Sequence, residues 1–258
     1  GLDGVEVVAS HGYLHAQFIN PRVNRRTDGY NGDLQQRLRF LREVIAVVRA
    51  NTDEQFIIGL RISADERDPE GLTEDESLAA VKSLQQQLDY VHIVAGTSAS
   101  LGGAVHIVPP MAIEAAYLAK EAGTFKASLS IPLFVTGRIN QPQEAELIIA
   151  RGQADVCGMT RALICDPQMP NKSNAGRSED VRACIACNQA CIGHFHKGLP
   201  ISCIQHPETG RELIFGKLHA TTNRKRILIA GGGPAGMKAA AVAAARGHEV
   251  TLYEAGAQ

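Results

Sequence analysis

The chain has 258 residues, 45% of them hydrophobic and 21% charged, with a formal net charge of −1 at pH 7. This composition suits a soluble globular protein of one or two domains and leaves no basic field for nucleic acid or for an anionic membrane surface. No apolar run approaches the ~20 residues that cross a bilayer. The chain opens on "GLDGVEVVAS", with no Met, no charged n-region and no signal-like apolar core, and it stops just past an apparent strand in "TLYEAGAQ". These ends read as those of a fragment of a longer protein. Six cysteines without an export signal point to reduced thiols used for metal or redox chemistry, and to a cytoplasmic setting.

Taken in order, Gly4–Ser10 is a short β-branched run. Asp33–Ala50 places Leu34, Leu38, Leu41, Ile45 and Val48 at helical spacing, with Asp33 as N-cap. Phe56–Ile62 reads as a buried strand, and Thr73–Leu88 as a helix opened by a capping box of Thr73 and Glu76. "YVHIVAG" is a strand, and "PPMAIEAAYLAKEAG" a helix with Pro near its start and Gly123 near its end. "IPLFVTG", "QPQEAELIIARG" and "ADVCGM" follow as strand, helix and strand. Strands alternating with helices, without two-residue hairpin signals, describe a parallel α/β structure. The elements alone do not separate a (β/α)8 barrel from an open doubly wound sheet. From Asp166 to Asp180 the chain turns polar and rich in turn residues, and Thr221–Arg226 is a short polar linker.

Between these two stretches lies "CIACNQACIGHFHKGLPISC", with the spacing C-x2-C-x3-C-x11-C through Cys184, Cys187, Cys191 and Cys203. Zinc knuckles usually offer two CxxC pairs. Three crowded thiols and one distant one suit a [4Fe–4S] cluster better, although the spacing is not that of ferredoxins. Zinc, with His194 or His196 as alternative ligands, and unligated cysteines are the competing readings. Of the remaining thiols, Cys157 reads as a small core residue, and Cys165 lies outside the clamp.

"RILIAGGGPAGMKAA" gives a strand, then Gly231-x-Gly233-x-x-Gly236, then an Ala-rich helix. A second strand, "EVTLYE", ends at Glu254, 18 residues after Gly236. Glycines let backbone approach a pyrophosphate, and the helix N-terminus supplies N–H groups. A carboxylate at 254 suits the ribose hydroxyls of FAD or NAD rather than NADP.

Together with "GVEVVASHGYLHAQFINPRVNRRTDGYNGDLQQRLRF" and "FVTGRINQPQEAELIIARGQADVCGMTRALICDP", these motifs resemble the old yellow enzyme superfamily. The branch is the multidomain one of 2,4-dienoyl-CoA reductase and trimethylamine dehydrogenase, and the resemblance runs through essentially the whole chain. It implies an FMN-binding TIM-barrel portion, strands 4 to 8, over residues 1–183, with the first three strands lying outside the chain. It further implies a [4Fe–4S] segment over 184–222 and the start of a Rossmann-like FAD/NAD(P)-binding domain over 223–258. By the same resemblance, Arg61, taken as ending the fifth strand, meets the flavin ring, where a guanidinium stabilises the anionic reduced form. Gly137, Arg138, Gly158 and Arg161 meet the FMN phosphate. Thr160 stands where the family often has Gly or Ala. Tyr13 is the implied proton donor, and His11 occupies a position that is His in the amine dehydrogenase and Glu in the reductase. "NPRVNRRTDGYNG" reads as scaffold. The loop Ala95–Pro110 has neither the reductase's early histidine, reading Gly96-Thr97-Ser98 there, nor the dehydrogenase's aspartate, and its nearest histidine is His106.

The implied function is electron transfer from NAD(P)H through FAD and the cluster to FMN, reducing an α,β-unsaturated small molecule of the enoyl- or dienoyl-CoA type. With the cluster between the two flavins, the cysteines precede the glycine turn. The alternative is an amine dehydrogenase or N-demethylase passing electrons outward, to a nicotinamide nucleotide or an electron-transfer protein. A non-enzymatic electron-transfer subunit and a zinc-stabilised nucleotide-binding module are weaker readings. No nucleic-acid or membrane partner is expected.

Overall fold

The structure, a computed structural model, describes residues 1–256. The chain divides into two compact units, Gly1–His206 and a second beginning at Pro207. In the first, β1 (Gly4–Ala9), β2 (Ile57–Asp65), β3 (Tyr90–Ala95), β4 (Leu133–Val135) and β5 (Val156–Cys157) form one sheet in the order β1-β2-β3-β4-β5. Every pairing is parallel.

Helices occupy the connections. They are α1 (Leu14–Ile19), α2 (Leu34–Arg37), α3 (Arg39–Ala50), α4 (Glu74–Leu84), α5 (Leu101–Ile107), α6 (Ala119–Ser128) and α7 (Pro142–Ala150). After β5 come α8 (Thr160–Cys165), α9 (Met169–Asn174) and α10 (Ile192–His196). Side chains of a strand alternate between faces. Ile58, Leu60 and Ile62 of β2, with Val91, Ile93, Leu133 and Val135, are buried against Leu41 and Ile45 of α3, Val81 and Leu84 of α4 and Phe125 of α6. The other face presents Glu6, Arg61, Tyr90, His92 and Phe134. A doubly wound sheet reverses its strand order at a switch point. Sequential order, with one apolar and one polar face, is that of strands following one another around a barrel.

Local signals hold at the helix starts. Asp33 and Gln36 close a capping box on α2, and Thr73 and Glu76 close another on α4. The expected helix Asp33–Ala50 is divided at Leu38. The helix expected from Pro109 begins only at Ala119, and Gly123 lies inside it. Ala116 is left-handed, with φ 52°, and its N–H donates to Arg138 O at 3.0 Å, so a tertiary bond holds this stretch out of a helix. Conversely, the loop expected over Ala95–Pro110 contains α5, N-capped by Ser100. Its Gly102 and Gly103 hid it, since glycine disfavours helix. The strand expected to end at Ile62 runs on to Asp65, so Arg61 sits in the interior of β2 rather than at its end. The "NPRVNRRTDGYNG" loop is tied to its own backbone: Asn20 Oδ1 accepts from the N–H of Arg22 and Val23, and Asn24 Nδ2 donates to the carbonyls of Phe18 and Tyr30.

In the second unit, α11 (Glu212–Phe215) precedes β6 (Arg226–Ala230), α12 (Pro234–Ala245) and β7 (Glu249–Tyr253). β6 and β7 are parallel, which makes a βαβ unit. Among the described residues no helix is long and apolar enough to cross a membrane.

Candidate flavin and cluster sites

The polar face of the sheet carries one connected network. Register aligns Val8, Arg61, His92 and Phe134 across β1 to β4. Arg61 Nη2 lies 2.6 Å from Glu6 Oε1, and His92 Nδ1 donates to Glu6 Oε2 at 2.9 Å. Tyr90 OH donates to the same carboxylate at 3.1 Å. His92 Nε2 lies 2.7 Å from Thr136 Oγ1 just beyond β4. Burial by itself raises the Glu6 carboxyl, but the bond and charge of His92 and the charge of Arg61 hold it below its ordinary value. Burial, and next the charge of the same carboxylate, push Tyr90 up to about 12. Arg61 Nε is buried without a partner, so part of the guanidinium remains free to meet a ligand.

His11 and Tyr13 follow β1. His11 is left-handed, with φ 60°. Its imidazole is pushed down to about 4, first by burial and then by the charge of Arg61, while a bond to the Ala95 backbone works the other way. The ring is therefore neutral near pH 7, and its Nε2 is buried with no partner. Tyr13 caps α1 and is 63% exposed. Arg61 is close enough to His11 to act on it, which ties the network to the C-terminal end of β1.

Gly137 and Arg138 follow β4, and Gly158, Thr160 and Arg161 follow β5. All therefore stand at the C-terminal edge of the sheet, where barrels of this kind bind ligands. A Cβ on Gly158 would fall 1.9 Å from Thr136 Oγ1, so only glycine allows the backbone past that hydroxyl. Arg138 is left-handed, with φ 51°, and its Nε is buried without a partner. Arg138 and Arg161 lie close enough for their charges to oppose one another. Two neighbouring guanidiniums, an unpartnered Nε and a side-chain-free glycine suit an anion such as the FMN phosphate.

The four cysteines come together. Cys184, Cys187, Cys191 and Cys203 line one small cavity, with Arg161, Ile164 and Asn188 in its wall. Left-handed Ala186 and Asn188 fold the first three thiols around it, and Ser202 N donates to Ala190 O at 2.8 Å to bring Cys203 back. His194 Nδ1 donates to Pro200 O at 2.9 Å, and neither His194 nor His196 lines the cavity. Among the described residues no three His, Cys, Asp or Glu side chains approach closely enough to hold one metal ion. A four-iron cluster gives each thiolate its own iron and so spaces the sulfurs more widely than a single zinc does. Four thiols lining one cavity suit a cluster that binds one thiolate at each iron. Buried Cys165 lies beside Cys203, and its Sγ accepts from Gln205 Nε2 at 3.4 Å.

In the second unit Gly231 is left-handed, with φ 103°. A Cβ on Gly236 would lie 1.9 Å from Gly231 O, so helix and turn pack through hydrogen alone. Gly233 is the N-cap of α12. Glu254 Oε2 accepts from Gly232 N at 2.6 Å, and its other oxygen accepts from Gly256 N at 2.9 Å. These backbone bonds hold its carboxyl below the ordinary range. The carboxylate faces the glycine turn, where a ribose would compete for it.

Sequence reasoning missed Glu6, Tyr90, His92, Thr136 and Asn188. Polar residues at alternate positions of otherwise apolar strands, as in "VEV" and "YVHIV", were the available signal for the first three.

The sequence profile of the NADH:flavin oxidoreductase / NADH oxidase family matches residues 1–180. The chain belongs to that family. It is 38% identical over 255 residues to an NADH oxidase of Thermoanaerobacter brockii, covering 98% of this chain and 39% of that protein. It is 37% identical over 264 residues to an N,N-dimethylglycine/sarcosine dehydrogenase of Chromohalobacter salexigens, covering 100% of this chain and 38% of that protein. The solved structure of a 2-naphthoyl-CoA reductase with 2-naphthoyl-CoA superposes with a TM-score of 0.90 at 32% identity, over 98% of this chain and 38% of that one. The chain thus spans well under half the length of these relatives.

Proposed function

We propose that the intact protein is a cytoplasmic flavin- and iron–sulfur-dependent oxidoreductase that reduces an α,β-unsaturated, enoyl-thioester-like substrate with electrons from NAD(P)H. The observation that carries this reading is the convergence of four cysteines on one cavity whose wall includes Arg161, from the first turn of α8 after β5. When bound, FAD, the cluster and FMN would supply exchange with nicotinamide, one-electron steps and hydride transfer, in that order. Arg61 would lie against the flavin ring, held in place by Glu6, and would stabilise negative charge there. Gly137, Arg138, Gly158 and Arg161 would surround its phosphate. Gly231, Gly233, Gly236 and Glu254 would hold FAD. Tyr13, exposed on the same edge of the sheet, would give its hydroxyl proton to the substrate carbon that does not receive hydride.

A second reading is favoured by His11. A neutral imidazole with an unpartnered Nε2 accepts a proton or orients an amine, which suits oxidation of an N-methylated amine. The similarity to an N,N-dimethylglycine/sarcosine dehydrogenase supports it. One experiment tests both: anaerobic bleaching of the flavin of the intact protein by NADH, NADPH, enoyl thioesters and N-methylated amines. Bleaching by a nicotinamide and reoxidation by an enoyl thioester supports the first reading. Bleaching by an amine alone supports the second. No flavin in the isolated protein would overturn both.

A further inference from the structure

We propose that Arg161 is a positioning residue of the iron–sulfur cluster, whose potential it raises, and not simply a ligand of the flavin phosphate. The inference rests on the reading that the four cysteines hold a [4Fe–4S] cluster. Arg161 lies in the first turn of α8, yet its guanidinium reaches into the cysteine loop. Its Nη1 donates to Asn188 Oδ1 at 2.7 Å and to Pro109 O at 2.8 Å. Asn188 stands between Cys187 and Cys191, and its own Nδ2 donates to Val108 O at 2.8 Å. Arg161 and Asn188 together therefore stitch the loop after α5 to the loop that carries three of the four cysteines.

Charge makes the stronger argument. The guanidinium is partly buried, and among the described residues it pairs with no carboxylate; its two acceptors are neutral oxygens. A buried cation without a counter-charge is costly. The groups whose charge offsets its burial are Cys184 and Cys191, while neighbouring Arg138 opposes it. Four thiolates around a cluster provide the missing negative charge. Reduction adds one electron to that cluster and makes or breaks no bond, so the reduced form is more negative by one charge. A fixed cation in the cavity wall stabilises the reduced form more than the oxidised one, which raises the potential.

The test uses the intact protein, purified anaerobically, with its cluster titrated by dithionite under EPR. Arg161→Gln, which removes the charge, should make reduction about tenfold harder or more, a drop of about 59 mV for one electron. Arg161→Lys, which keeps the charge, should recover most of that shift. FMN content is measured in parallel, so that weakened phosphate binding is told apart from a change at the cluster. A cluster potential unchanged in Arg161→Gln, with FMN lost instead, would make Arg161 a phosphate anchor and overturn the proposal. If Arg161→Gln does not assemble a cluster, Asn188→Asp decides: a carboxylate placed on Arg161 should lower the potential, and an unchanged value refutes the proposal. Iron and acid-labile sulfide missing from the wild type would instead overturn the cluster reading beneath it.

Discussion

His11 is half-buried and held as a neutral ring, and that has a measurable cost in acid. An exposed histidine protonates near 6.5, whereas His11 is pushed down to about 4 by burial and by the charge of Arg61. As pH falls from 6.5 toward 4, the unfolded chain takes up a proton that the folded protein refuses. Stability contributed by His11 is thus fully present above pH 6.5 and is lost down to its folded value. At about 1.36 kcal/mol for each tenfold, the loss on completing that descent is on the order of 3 kcal/mol. The perturbation is His11→Gln, which keeps a polar side chain and removes the titrating group. Urea midpoints of the intact protein and the variant, compared at pH 7 and pH 4.5, isolate the term because all other histidines cancel in the difference. The variant should gain on the wild type by about 2 kcal/mol over that interval. A difference between the two proteins that does not change with pH would refute the argument that this ring is held neutral by its surroundings.

Tyr13→Phe keeps the ring and removes only the hydroxyl; substrate turnover should fall by about 10² to 10⁴ while reduction of the flavin by nicotinamide is unaffected. Unchanged turnover of an identified substrate would remove Tyr13 from the chemistry. Gly236→Ala puts a methyl against Gly231 O, where a Cβ would stand at 1.9 Å. Such overpacking costs about 1–3 kcal/mol, so FAD recovered by extraction should drop at least several-fold, and full FAD content would show that the turn relaxes freely. Glu6→Gln leaves Arg61 and His92 without their shared carboxylate and should cost about 1–3 kcal/mol in urea unfolding at pH 7. Because the Glu6 carboxyl sits below its ordinary value, that cost should shrink as pH falls below 4.5. A cost that stays constant down to pH 3 would show that the carboxylate's charge is not what matters.

Sequence carried furthest where the determining physics is local. The capping boxes at Asp33 and Thr73 need only residues three apart, and both helices start there. The βαβ signature around Gly231, Gly233 and Gly236 combines period-two strands, a left-handed glycine and an Ala-rich helix, each readable within a few residues. The cysteine spacing likewise dictated a compact loop, because three thiols so close in the chain have few ways to turn outward. The same local logic failed between Pro109 and Leu118, where a helical-looking run is held open by a bond from Ala116 to the distant Arg138.

By itself, then, the sequence determined the parallel α/β rhythm, the cysteine clamp, the glycine turn and the family that joins them, since each is written in contiguous residues. Only the tertiary structure decided that the strands follow one another in order with a polar inner face. It also decided that Arg61 lies inside β2 bound to Glu6, 55 positions away in the chain, and that Arg161 reaches Asn188 in the cysteine loop. Charges that meet across strands leave no periodic trace in the chain, because their pairing depends on strand register and on which face each residue turns inward.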